Sequence, residues 1–552
     1  MWQFVVKLLF GLFLFFVAGA SVSSTVSANR EAVPLQDNLG KHQYPVSISV
    51  PKAQRYFDQG LILSFGFNHA EAARSFQEAA RLDPECAMCF WGEALVLGPN
   101  INAPMSDSAV PLAYAAVQKA WSLAGHATKK EKALIQALTK RYGNEIVKER
   151  THLDAAYAEA MREVYQQFPD DVVIGSLLAE ALMDLHPWDY WKKNGEAQPW
   201  TSEIVSLLED VLEQKPNQPL ANHLYVHVME GSSHPEKALP SAERLATLVP
   251  GSGHLVHMPA HIYLRVGRYR DAALANQQAV KVDQHYLNHS HVESIYTAAY
   301  IPHNYHFLWA AAAKTGQYKL ALQAARDTAA KVNPEEMRTP GFSGTLQHFS
   351  LMPLYTQALF GKWHEILAEP APPADLLYVR GIWHYARGLA LLRQGNIDSA
   401  QLELTFLQQI VSDPAVVDLN IFDVNEISQI LKIAQAMLEG EISAAQQNYD
   451  AAIDHLKHAV ALEDGLNYTE PKDWYLPPRQ VLGAVLLATD KAAGAEQVYR
   501  EDLHFHPQSG WSLFGLVQAL HAQDKKTDAE TTREQFDEAW SDADVVLTSS
   551  RF

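Results

Sequence analysis

A chain of 552 residues can hold several compact domains or one long repeat array, and an apolar content of 48% excludes a disordered polymer. Its formal net charge of -19 argues against a nucleic-acid partner, because displacing counterions along phosphates takes a surplus of lysine and arginine. Residues 1–28 read as a signal peptide: Lys7 precedes the apolar run from Leu8 to Ala20, and Val26-Ser27-Ala28 offers a signal-peptidase site. The expectation is export to a periplasm or the medium, with a membrane attachment only if this segment stays uncleaved. No later stretch is long and apolar enough to span a bilayer. Residues 29–52 are a polar, proline-containing extension. Cys86 and Cys89, the two cysteines of the chain, are spaced C-x-x-C. A local disulfide suits an oxidising compartment, and a soft-metal site with Met88 or Met105 is the other reading. Phe90 stands where covalent haem attachment would need histidine.

From Ala53 onward the pattern is helical and periodic. With Ala53 as position 1, Gly60 falls at 8, Ala72 at 20, Phe76 at 24, Ala79 at 27 and Pro84 at 32. Proline returns at position 32 as Pro169, Pro216, Pro250 and Pro507, and alanine at position 20 as Ala238, Ala272, Ala321, Ala400, Ala452 and Ala495. Small residues at these places let two antiparallel helices approach, the aromatic fills the gap between them, and proline ends the second helix. The pattern resembles the tetratricopeptide repeat family over residues 53 to about 540. That resemblance implies an all-α, right-handed α-solenoid of helix-turn-helix repeats. The proline-rich run Glu369 to Asp375 divides it into an N-terminal array, 53–370, and a C-terminal array, 371–552.

Three insertions interrupt the repeats: Gly98 to Met105, the aromatic His186 to Trp191, and Asp283 to Ile301 with His285, His289, His291 and Glu293. Around the last of these, eleven of the chain's 24 histidines lie between residues 223 and 306. An even spread would put about four there, so the enrichment calls for a chemical reason. His223 and His227 stand at positions 5 and 9 of one repeat, and His257 and His261 at positions 5 and 9 of the next. The first helix of each repeat commonly turns these positions toward the concave groove in the family it resembles, and i, i+4 spacing puts each pair on one helix face.

Imidazoles from neighbouring helices at this register can converge on one ion. The candidate ligands are His223, His227, His257 and His261, with His303 and His306 extending the row and Glu230 as a carboxylate ligand or orienting partner. Neutral imidazole suits copper, zinc or iron without choosing among them. Pro259, at position 7, makes that helix start late or bend, so His254 at position 2 is left out of the set. Taken singly, each histidine is most simply a hydrogen-bonded interior residue; as a set in register, they ask for a metal.

Leu224 and Met258 occupy the place of the catalytic glutamate in H-E-x-x-H, which argues against a zincin protease, and no nucleotide loop or nucleophile elbow is present. Two functions follow from the residues. The first is an exported solenoid whose concave face binds a peptide or protein and carries a histidine-rich transition-metal site. The second is a metal-dependent oxidase or hydrolase using the same groove.

Overall fold

Phe76 shows how the helices are held together. Its ring lies against Gly60 on one side and Gly92 on the other, so close that an added Cβ would sit 2.9 Å and 2.4 Å from it. The same device recurs near the other end of the chain, where Tyr499 lies between Gly483 and Gly515. In both cases the spacing is sixteen residues on each side, so one aromatic welds three successive helices. Gly92→Ala should therefore overpack this contact and lower stability by about 1–3 kcal/mol. Urea unfolding of Gly92→Ala, alone and with Phe76→Leu to relieve the clash, measures it.

A computed structural model describes residues 33–290 and 293–552. The expected signal peptide, 1–28, and His291 lie outside the described residues. The fold is an all-α solenoid in which each helix packs on the next, beginning with Pro51–Phe65, His69–Leu82, Ala87–Val96 and Val110–Leu123. Helix starts follow local chemistry: Asn68 accepts from the Glu71 N–H, Asp171 from Val173 and Ile174, and Thr128 with Glu131 forms a capping box. The β-structure among the described residues is small, a hairpin of Asn420–Ile421 with Asn425–Glu426 and two isolated bridges. No helix among the described residues is long and apolar enough to cross a membrane. Cys86 and Cys89 are joined in a disulfide, which settles their two readings in favour of the first.

The third insertion is more regular than its sequence suggests. Its first part continues the long helix Tyr269–His289, and a π turn, Tyr296–Tyr300, leads into the helix Ile301–Lys314. The C-terminal part of the chain folds back onto the middle of the array. Trp511 Nε1 donates to the Ala313 carbonyl at 3.0 Å, Lys193 Nζ donates to the Gly465 carbonyl at 2.6 Å, and Asp544 accepts from the Tyr318 and Lys319 N–H groups. The loop around Tyr468 is thereby laid over the histidine-bearing helices.

Candidate metal centre

The helix Pro219–Glu230 begins with proline at its first position and with Gln218 as cap, whose side chain accepts from the Ala221 N–H. Asn222 ties its start down further by donating to the Pro216 and Gln218 carbonyls. On this helix His223 and His227 project together, one turn apart. The next inward helix is split: Gly253–His257 ends at Met258, and Pro259–Arg265 follows with proline at its first position. The expected disturbance at Pro259 is thus present. Met258 nevertheless keeps helical dihedrals, so His254, His257 and His261 stay on one inward side.

Two groups of three histidines result. His223, His227 and His254 form one, and His257, His261 and His303 the other; within each, the ligand nitrogens lie within 4.8 Å of one another. An ion bound at 2.0–2.1 Å by each would hold the nitrogens about 3.3–3.6 Å apart, a small adjustment from these positions. The two groups touch, with ring centroids 5.6 Å apart for His227 and His261 and 5.8 Å for His254 and His257.

The tautomers are set from behind. His223 Nδ1 meets the Phe65 carbonyl at 2.6 Å, an acceptor left over at the end of helix Pro51–Phe65. His227 Nδ1 and His261 Nδ1 donate to the two oxygens of one carboxylate, Glu230, at 3.0 Å and 2.6 Å. His257 Nδ1 faces Asn276 Oδ1 at 2.7 Å; Asn276 Nδ2 donates to the Ala272 carbonyl, which fixes the amide so that only its oxygen can face the ring. Each of these rings therefore carries its proton on Nδ1 and turns an Nε2 lone pair into the group.

The consequence is sharpest for His257 and His261, whose Nε2 atoms stand 2.9 Å apart. Neither has a proton to share. Protonating one ring would turn the contact into a hydrogen bond, but burial holds His261 down to about 3 and His257 well below the ordinary histidine value, with charge repulsion between the two rings adding to it for His257. His223 Nε2 and His254 Nε2 meet at 3.1 Å, and His227 Nε2 and His254 Nδ1 are buried without a partner. Burial lowers His223 and His227 to about 3 and His254 and His303 well below 6.5. A pair of lone pairs pressed together in a buried site is the arrangement that a cation between them would relieve.

The expected open groove is largely closed here, with His303 alone of the six rings half-buried. His223, His227, His257 and His261 are between 0 and 2% exposed. Phe67 lies 4.5 Å from His223, Phe307 4.4 Å from His261, Tyr300 4.8 Å from His254 and Trp188 5.3 Å from His227, all between ring centroids. Tyr468 donates to Glu230 at 3.2 Å, a cover supplied by a residue more than two hundred positions away. Trp188, at φ +62°, is half in solvent and forms the edge between the His227 ring and the outside.

Six of the seven sequence candidates meet at this place, but not around one ion. Glu230 stands behind the rings as their shared acceptor rather than among the ligands, while His303 completes the second group. His306 is elsewhere: it stacks on Trp309 and faces His348 at 5.5 Å, with both ring nitrogens buried and unpartnered. His285 and His289, of the third insertion, contact each other at the surface. Upstream, Asp184 is paired with Arg141 at 2.6 Å. His254, which the sequence reading set aside, is a full member of the first group. Asn276 was also missed, although a signal existed: it occupies position 24 of its repeat, where Phe76 and Tyr499 stand in others.

No protein-family model matches the chain, and no curated protein sequence does. Among solved structures, human IFIT1, in a dimer with PPP-AAAA, aligns over 90% of this chain and 91% of its own at 12% identity with a TM-score of 0.31. The Cut9-Hcn1 hetero-tetramer of the APC/C aligns over 89% of this chain and 74% of its own at 11% identity, TM-score 0.29. The P58(IPK) TPR domain aligns over 86% and 99% at 11% identity, TM-score 0.21.

Proposed function

We propose that this chain is an exported helical-repeat metalloprotein that holds two transition-metal ions in adjacent three-histidine centres. The observation that carries the reading is the 2.9 Å contact of two Nε2 lone pairs, His257 and His261, whose Nδ1 protons are committed to Asn276 and Glu230. Each centre supplies three neutral nitrogens, the protein-ligand count of a metal site that takes a small molecule as its further ligand. An oxidising compartment is supported by the Cys86–Cys89 disulfide and by the apolar leader. Recognition of a peptide or protein, which a solenoid offers, would use faces away from the roofed histidines, and the acidic balance favours a protein over a nucleic acid there.

Elemental analysis of the purified chain tests the reading. Two equivalents of a first-row metal are expected, one in His223→Ala, one in His257→Ala and none in the double variant. No bound metal, or a content the substitutions leave unchanged, overturns it.

A further inference from the structure

The charge balance around the two centres says which metal and which small molecule they fit. Six imidazoles contribute no charge, and Glu230, the carboxylate bonded to these rings, already accepts from His227, His261 and Tyr468. The cost of placing an ion in a low-dielectric interior rises with the square of its charge. Two divalent ions side by side, each in a neutral ligand shell, would meet that cost in full and repel each other as well. Monovalent copper meets a quarter of it per ion, and three imidazoles without an anionic ligand satisfy its low coordination number. The surroundings are apolar too. Phe67 and Phe307 pack directly on the rings, and Tyr300 closes the side of His254.

Resting on the two-centre reading above, we infer that the paired centres hold cuprous copper and bind dioxygen between them. The two groups are in ring contact, so ions held in them would be close enough for one diatomic molecule to meet both. Dioxygen is small, neutral and apolar, and it enters a site roofed by phenyl rings without the desolvation that an anion or a sugar would meet. Trp188, exposed at the edge of the His227 ring, and the half-buried His303 are where the paired groups come nearest to solvent. The step balances within the site. Each Cu(I) gives one electron, dioxygen takes both, its O–O bond order falls from two to one, and the peroxide dianion lies between two Cu(II) ions. No proton is required. The two negative charges arrive where four positive ones have formed, which is why the oxidised pair tolerates a neutral shell only with the peroxide in place. A single centre cannot supply the second electron.

The experiment loads metal-free full-length protein with Cu(I) under anaerobic conditions, measures copper content, and then admits dioxygen in an oxygen-electrode cell. One dioxygen consumed per two coppers, with an intense near-ultraviolet charge-transfer band and no paramagnetic signal from the coupled Cu(II) pair, is the expected result. His257→Ala and, as a milder change at the edge of the same centre, His303→Gln should retain the other copper and lose at least tenfold of the uptake. Two bound coppers without uptake, uptake unchanged in both variants, or oxidation to magnetically isolated Cu(II) overturns the dioxygen inference and leaves the two-metal reading standing. Failure to bind copper while another metal fills both centres also overturns this inference alone. Failure to bind any metal overturns both.

Discussion

Glu230→Gln should abolish metal binding at one of the two proposed centres and weaken the other about 10- to 100-fold, the usual effect of removing a partner behind a metal-bound histidine. The carboxylate accepts from His227 Nδ1 through one oxygen and from His261 Nδ1 through the other. Glutamine keeps one acceptor and replaces the second with an amide N–H. The ring facing that amide can no longer keep its proton on Nδ1, so it moves to Nε2, and the lone pair that would bind metal is gone. Because His227 belongs to one centre and His261 to the other, the choice of amide orientation decides which centre fails, while the remaining ring has a weaker, neutral acceptor. Glu230→Ala lacks even that and should weaken both centres together. Titration calorimetry with the metal-free protein, read as stoichiometry and affinity, separates the two variants. Two full-strength sites in Glu230→Gln would mean that the rings do not take their tautomers from this carboxylate.

The legibility of this site in the sequence was uneven, and the reasons are physical. Positions 5 and 9 of a repeat are set by helix geometry within one hairpin, so the pairs His223 with His227 and His257 with His261 could be read directly from spacing. What spacing could not supply was how the pairs divide. Both pairs point inward, yet each is completed by a histidine from another place: His254, one helix break before Pro259, and His303, after the third insertion. With the repeat counted afresh from Pro302, His303 at position 2 and His306 at position 5 were both expected to extend the row. Both stand on the regular helix Ile301–Lys314, three residues apart, and it is His303 that meets His257 and His261, while His306 packs on Trp309 and faces His348. Asn276 was visible as a polar residue in an aromatic slot, but its meaning depends on His257 lying 2.7 Å away. The roof was out of reach altogether, since Tyr468 arrives from more than two hundred residues further along the chain through a fold-back that no local pattern encodes. The repeat itself was legible because its signature is packing chemistry: Gly60 and Gly92 are glycine because Phe76 lies on them.

His306→Phe should raise the stability of the metal-free protein, and the gain should grow as the solution is made acidic. Both nitrogens of His306 are buried without a hydrogen-bond partner, between the faces and edges of Trp309, Phe349 and His348. A phenyl ring fills nearly the same space with no polar atom to desolvate, worth about 1–3 kcal/mol at neutral pH. The acid-dependent part follows from burial, which pushes the His306 imidazole well below its ordinary value; His348 beside it, held to about 3, is itself neutral over this range. Below pH 6.5 the unfolded chain takes up a proton at this position and the folded chain does not, so histidine here loses stability as pH falls through 6.5 and keeps losing it until the folded-state value is reached. Between pH 6.5 and 5.5 that loss is about 1 kcal/mol, and each further unit costs about 1.4 kcal/mol. The whole-chain profile does not isolate this effect, because buried carboxyls that burial raises to about 7, among them Asp283, Glu463 and Glu470, shift stability the opposite way over the same range. The difference between variant and parent isolates it, since those carboxyls are common to both. Denaturant unfolding of the two proteins at pH 7, 6 and 5 should give curves that diverge toward acid; parallel curves would mean that His306 finds a proton partner in the folded chain.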